Sequence, residues 1–209
     1  MKTIIWDYNG TILNDVSIAV KIENEMLLRR GLKADYTLED YKSLFNVPME
    51  DYYRQIGYTF ENESFHDVGV EFYGLYEKYF SECTLNKGVL DKLQEAKEKS
   101  YQNIILSSCE HQTLVSQCHR LGIDTLFTSI MGVNDLVGGS KVENGLCWLE
   151  DTNTDVSECM YIGDTNADFE TASALGIQNI TLVSLGHQSY ERLKKLHDHT
   201  VQTFAEVII

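Results

Sequence analysis

An α/β fold built on a doubly wound parallel sheet is the class the sequence predicts, and three observations predict it. Short apolar, β-branched runs alternate with amphipathic helical stretches through most of the chain. The first run, Thr3-Ile4-Ile5-Trp6, ends at a carboxylate and a glycine turn, Asp7-Tyr8-Asn9-Gly10-Thr11. That is where open α/β sheets bind their ligands. Between about residues 16 and 80 the alternation stops and helical signals dominate, which predicts a small all-α segment inserted after the first strand.

Each element has its own signal. Ile18, Ile22, Met26 and Leu27 share one helical face, closed by Gly31. Thr37 and Asp40 have capping-box spacing and open a second, short helix. Pro48, the chain's one proline, starts a third over Met49 to Ile56. Phe65, Val68, Phe72, Leu75, Tyr76 and Tyr79 form the aromatic stripe of a fourth. From Gly88 the alternation resumes, with helices over 89–99, 110–121, 143–150 and 166–175. Strands fall at 103–106, 129–133, 159–162 and 179–183. Strands separated by helices imply βαβ units and a parallel, Rossmann-like sheet. The expected division is 1–14 with 86–209 for the α/β core and 15–85 for the helical insert.

At 209 residues the chain suits a core with a smaller insert and can bury a full interior. Its apolar runs are short, so no membrane span is expected. The start of the chain runs directly into a strand without the apolar stretch of a signal peptide. Five cysteines, with no CxxC pair, read as small apolar residues of a reduced protein. A cytoplasmic protein is the expectation. The formal charge of −15 argues against a nucleic-acid partner. It also repels phosphorylated ligands, so a phosphate site must be built locally from a metal, a lysine and backbone N–H groups. Oligomeric state is not legible.

Three sites besides Asp7 carry polar groups at or near the ends of expected strands. Ser107-Ser108 follows the strand at 103–106, and Lys141 follows the turn Gly138-Gly139-Ser140. Gly163-Asp164-Thr165-Asn166-Ala167-Asp168 closes the strand at 159–162 and opens a helix. Parallel strands bring their C-terminal ends to one edge, so these groups converge on Asp7. Singly, each has a structural explanation: a helix cap for Ser107, a solvated lysine, a turn aspartate, a helix N-terminal charge. Together and in this order they point to one site.

The residues resemble the haloacid dehalogenase-like (HAD-like) hydrolases, in particular their phosphoglycolate phosphatase-like group with a helical cap. The resemblance spans nearly the whole chain and is most specific at Tyr161-Ile162-Gly163-Asp164-Thr165-Asn166-Ala167-Asp168, with Ala172 and Leu175-Gly176 behind it. Lys87-Gly88-Val89 looks like that group's return from cap to core. The resemblance implies a Mg²⁺-dependent phosphatase of a small phosphorylated metabolite. Asp7 would be the nucleophile, forming an aspartyl-phosphate. Asp7, Asp164 and the Asn9 carbonyl would bind Mg²⁺, with Asp168 as a further ligand or the support of one. Ser107, Ser108, Lys141, Gly10 and Thr11 would hold the phosphate.

Two positions depart from that pattern. Asn9 stands where phosphatases of the family carry the Asp that protonates the leaving oxygen. An amide keeps the backbone carbonyl but cannot act as an acid or base, a loss worth about 10²–10⁴-fold. Three outcomes follow: substrates whose leaving group needs no proton, another acid such as Asp15 or a Glu or His of the insert, or a protein that binds phosphate with little catalysis. The string resembles an Asp-Trp-Asn-Gly-Thr variant in a phosphatase-like subgroup, which argues against accidental decay. Relatives that cleave C–P or C–halogen bonds carry Ala or Tyr there instead. The second departure is Val142, where the family usually has Pro after the lysine. His111 and His187 lie near strand ends, where either could approach the site, although a helix cap or surface role is expected. Cys109 lies close enough to line a pocket but has no partner for a nucleophile's role.

Overall fold

The computed structural model describes residues 2–134 and 140–209. The expected turn Gly138-Gly139 lies outside the described residues. The chain opens with β1 (Thr3–Trp6), then the two-residue β2 (Leu13–Asn14) and four helices: α1 (Val16–Arg29), α2 (Leu38–Leu44), α3 (Met49–Gln55) and α4 (Phe65–Tyr79). A second two-residue strand, β3 (Thr84–Leu85), pairs antiparallel with β2, so the helical segment leaves and rejoins the core side by side. The rest alternates: α5 (Val89–Glu98), β4 (Gln102–Glu110), α6 (His111–Arg120), β5 (Ser129–Val133), α7 (Lys141–Thr152), β6 (Cys159–Gly163), α8 (Asn166–Ala174), β7 (Asn179–Val183), α9 (Tyr190–Leu196) and β8 (Thr200–Val201).

Six strands form one parallel sheet in the order β5-β4-β1-β6-β7-β8. The order reverses at β1, which pairs with β4 on one side and β6 on the other. This is the doubly wound topology the alternation predicts, and its switch point lies beside Asp7. β1 is buried on both faces, as a central parallel strand must be. Ile4 and Trp6 join the apolar layer shared with α1, α4 and α5; Ile5 joins the one under α7 and α8.

Local chemistry explains the helix ends. Both legs of the Thr37–Asp40 capping box form, and the same device recurs at Ser64–Asp67 and Thr165–Asp168. β4 runs longer than expected: its register shifts between Leu106 and Glu110, so Ser107 and Ser108 lie within the strand's last turns rather than after it. α7 begins at Lys141, two residues before its apolar pattern, because Ser140 caps it through Glu143 N.

α2 docks on the loop that follows β7. Lys42 Nζ donates to the Ser184 and Leu185 carbonyls at 3.1 Å, and Arg192 donates to the Phe45 carbonyl at 2.5 Å. These bonds set an aromatic surface of the helices above the sheet's C-terminal edge. Among the described residues no helix is long and apolar enough to cross a membrane.

Candidate active site

Asp7 leaves β1 with its N–H bonded to the Ile162 carbonyl at 2.9 Å, so the strand pairing carries it to the sheet edge. The turn that follows is closed by Ile12 and Leu13 N–H groups on the Tyr8 carbonyl. Asn86, at the return from β3, clamps it by donating to the Gly10 and Thr11 carbonyls at 2.7 and 2.9 Å. Gly10 has φ +76°, and a Cβ there would lie 2.4 Å from Asp164 Oδ2 and 2.6 Å from the His187 ring. No other residue fits both the conformation and the space.

Asp7, Asp164 and Asp168 each bring an oxygen within 4.8 Å of the others. Lys141 Nζ bridges two of them, at 2.6 Å from Asp7 Oδ1 and 2.6 Å from Asp168 Oδ1. Asp168 is held completely: Tyr161 hydroxyl also meets Oδ1 at 3.1 Å, while Asp164 N, Thr165 N and Thr165 Oγ1 donate to Oδ2. Asp164 accepts from Thr11 Oγ1 at 2.9 Å and from His187 N at 2.6 Å.

Charge follows from this crowding. Burial, then the neighbouring Asp168, push Asp7 up to about 6 against the pull of Lys141. Burial also raises Asp164 well above the usual carboxylate range. It acts the same way on Asp168, but the Lys141 ammonium and the bonds to Thr165 leave that carboxyl low. Desolvation disfavours the Lys141 cation, yet Asp168 and Asp7 more than offset it. One ammonium against three buried carboxylates is an undercompensated cluster of hard oxygens. Such a donor set fits a divalent cation of the Mg²⁺ type.

The other expected site residues divide. Ser107 is buried, accepts from Cys109 N at 3.1 Å and lines the same cavity as Asp7 and Lys141; Ser108 lines it too. Gly10 and Thr11 do not line it. The Gly10 N–H is spent on Asp15 Oδ1 at 2.9 Å, and the Thr11 hydroxyl supports Asp164, so neither group is free for a phosphate. Asn9 lines the cavity with its amide donating to Asp15 Oδ2 and to the Tyr76 hydroxyl, both at 2.9 Å. Burial pushes the Cys109 thiol up to about 12, which leaves no thiolate nucleophile.

A second polar group joins Asn9, built on Asp15, one of the acids the sequence offers in place of the missing one. Asp15 ends the approach to α1, is 1% exposed, and accepts from Gly10, Asn9 and Tyr76, the last at 2.6 Å. His187 Nε2 lies 3.5 Å from Asp15 Oδ1, and its Nδ1 is 2.8 Å from the Tyr41 hydroxyl. Burial disfavours the His187 cation, but Asp15 and then Asp164 raise it to about 9, so Asp15 stays ionised beside an imidazolium. His187 is therefore not at the surface, as its isolated position suggested. Its signal was the Leu185-Gly186-His187 run after a strand of the same sheet edge.

These groups open into one cavity of about 930 Å³ between the sheet edge and α1–α4. Its size is that of a small-molecule site.

The family model for haloacid dehalogenase-like hydrolases matches residues 4–182. No curated protein matches the chain. Among solved structures, a protein designated a haloacid dehalogenase-like hydrolase from Bacteroides fragilis is 20% identical, with TM-score 0.83 and 99% of each chain covered. A predicted phosphatase from Clostridium acetobutylicum is 17% identical, with TM-score 0.78, covering 98% of this chain and 95% of its own. A predicted phosphoglycolate phosphatase from Haemophilus somnus is 17% identical, with TM-score 0.74, covering 99% and 96%. At these identities the structures show a shared fold. The match over 4–182 shows the family: the chain belongs to the haloacid dehalogenase-like hydrolases.

Proposed function

We propose that this haloacid dehalogenase-like hydrolase is a Mg²⁺-dependent phosphatase of a small phosphorylated metabolite, with Asp7 as nucleophile. The observation that carries the reading is the Lys141 bridge between Asp7 and Asp168 inside a three-carboxylate cluster at the switch point of the sheet. Asp7, Asp164, Asp168 and the Asn9 carbonyl are the groups that would hold Mg²⁺. When bound, the metal offsets the repulsion between an anionic carboxylate and an anionic phosphoryl group.

An Asp7 oxygen attacks phosphorus, and the bond from phosphorus to the leaving oxygen breaks, giving an aspartyl-phosphate and the departing oxyanion, which takes its proton from water. Water then attacks phosphorus, the bond to Asp7 breaks, and inorganic phosphate leaves. Lys141 and Ser107 steady the phosphoryl oxygens as charge moves through them. Residues 15–85 act as a cap over a core of 1–14 and 86–209, excluding bulk water from the cluster. The acidic chain fits a cytoplasmic enzyme without nucleic-acid or membrane partners.

Asn9 sets the preference. With its amide committed to Asp15 and Tyr76 it gives no proton to the departing oxygen. Acyl phosphates, phosphoanhydrides and aryl esters, whose leaving groups depart with little protonation, are therefore the better substrates. The same observation favours a second reading, a phosphate-binding regulator of low turnover. Phosphate release with Mg²⁺ from acyl, aryl and alkyl phosphates, compared with Asp7→Asn, separates them. Turnover that disappears in the variant supports the enzyme. A beryllium fluoride adduct on Asp7 with no turnover of any class supports the regulator.

A further inference from the structure

The cavity has a second end. Asp15, Ala19 and Glu23 recur every four residues from the start of α1, and all three line the cavity. Eight residues of helix advance about 12 Å, and helical side chains lean back toward the N-terminus, so the Glu23 carboxylate lies on the order of 10 Å from the Asn9–Asp15 end.

Glu23 is only 4% exposed, and its one hydrogen bond among the described residues comes from the Tyr52 hydroxyl, on Oε2. Glu23 lines the cavity, and no donor to its Oε1 is found among the described residues. The other carboxylates of this side are committed: Glu50 to Arg54, Glu77 to Arg120, and Glu110 to the first turn of α6. No cation bonds to Glu23 among the described residues, and the His187 imidazolium that attracts it from a distance does not keep it from being pushed up. The two cationic side chains lining the cavity are Lys141, held by Asp7 and Asp168, and His187, held against Asp15.

Between the two ends the walls are aromatic. Tyr41 and Phe45 pack with ring centroids 5.2 Å apart, and Phe72 stacks on Tyr76 at 6.0 Å. Tyr53, Phe65 and Tyr73 also line it, with Val47, Pro48 and Met49. Ring faces attract cations and disfavour anions. A buried carboxylate short of donors, at the end of an aromatic channel with no free positive charge, is complementary to an ammonium group. An ammonium arriving there displaces the carboxyl proton and pairs with the anion that remains.

We infer that the far end of this cavity binds a cationic amine on the leaving group. The substrate is then a phosphorylated compound with an apolar or aromatic body that ends in an ammonium roughly one helix-turn pair from phosphorus. The inference rests on the phosphatase reading for the placement of the phosphate.

Three aryl phosphates with closely matched phenol leaving groups test it: 4-(2-aminoethyl)phenyl, 4-ethylphenyl and 4-(carboxymethyl)phenyl phosphate. In the wild type, kcat/KM for the amine exceeds that for the ethyl and the carboxylate compounds by about tenfold or more. In Glu23→Gln, which keeps the shape but cannot become an anion, the ratio of amine to ethyl kcat/KM measured within the variant shrinks to within about twofold. An ethyl compound equal to or better than the amine in the wild type overturns the inference, and so does a preference that survives Glu23→Gln. The wild-type charge series decides the matter alone should that variant not fold. If neither these esters nor acetyl phosphate release phosphate, the phosphatase reading has failed instead. Calorimetric binding of the amine and ethyl compounds to the wild type then judges the amine site separately: tighter amine binding supports it, equal binding overturns it.

Discussion

Two buried carboxylates in one cavity are treated in opposite ways. Asp168, at the sheet edge, receives donors from Lys141, Tyr161, Asp164 and Thr165 on both oxygens. Glu23, among the helices, receives one, from Tyr52. The difference shows in their protonation: burial acts to raise both, yet Asp168 is held low while Glu23 is pushed up to about 8. A carboxylate satisfied by its own chain positions other groups. One left short is either a stability defect or half of a binding site, and its place on a cavity wall argues for the second.

The comparison breaks most sharply at the sheet edge. Asp7→Asn should lower phosphate release by about 10⁴-fold or more, since the nucleophile is gone while the cavity stays intact; a variant within tenfold of wild type moves the chemistry elsewhere. Asp168→Ala should cost about 3–5 kcal/mol of stability in denaturant titration, because it strips Lys141 of a partner and orphans the Thr165 and Asp164 amides.

At the helical end the sign reverses. Folded Glu23 keeps its proton up to about pH 8, against 4.5 for the unshifted group. Between these values the folded chain binds the extra proton, so wild-type stability falls as pH rises through the window. Glu23→Gln removes that loss and should gain roughly 2–4 kcal/mol over wild type between pH 5 and pH 8. His187, raised to about 9, also loses stabilisation as pH climbs, so the two proteins are compared at each pH. A difference that does not grow with pH would make the two carboxylates alike.

The smallest expected effect lies between the two regions. Asn9→Asp restores an acid and should raise turnover of alkyl phosphates by about 10–10²-fold relative to aryl phosphates. The gain is limited because the new carboxyl replaces a donor to Asp15 with a like charge. Unchanged relative rates would mean that leaving-group protonation never depended on this position.

Legibility in the sequence follows the same division. Asp7, Lys141, Asp164 and Asp168 were readable because each occurs at or near a strand end and parallel topology brings those ends together. Asp15 and His187 were legible only as single candidates, and their meeting with Tyr76 and Tyr41 was not. They come from α1, α4, the loop after β7 and α2, and meet only because Lys42 and Arg192 tie α2 to that loop. Glu23 was hidden as a charge within the amphipathic pattern of α1. The short β2, β3 and β8 escaped notice because two residues carry no periodicity; their pairing partners create them.

The two-residue ribbon of β2 and β3 has an evolutionary consequence. Because Leu13 faces Leu85 and Asn14 faces Thr84, the ends of the helical segment lie about one strand spacing, roughly 5 Å, apart. A segment attached that way can be traded between lineages like a cartridge, leaving the sheet undisturbed. Here the cartridge has a catch: Asp15, the first residue past the ribbon, holds Gly10 and Asn9 in the turn after the nucleophile. A graft that retains Asp15 inherits the geometry of that turn; one that begins a residue later must rebuild it.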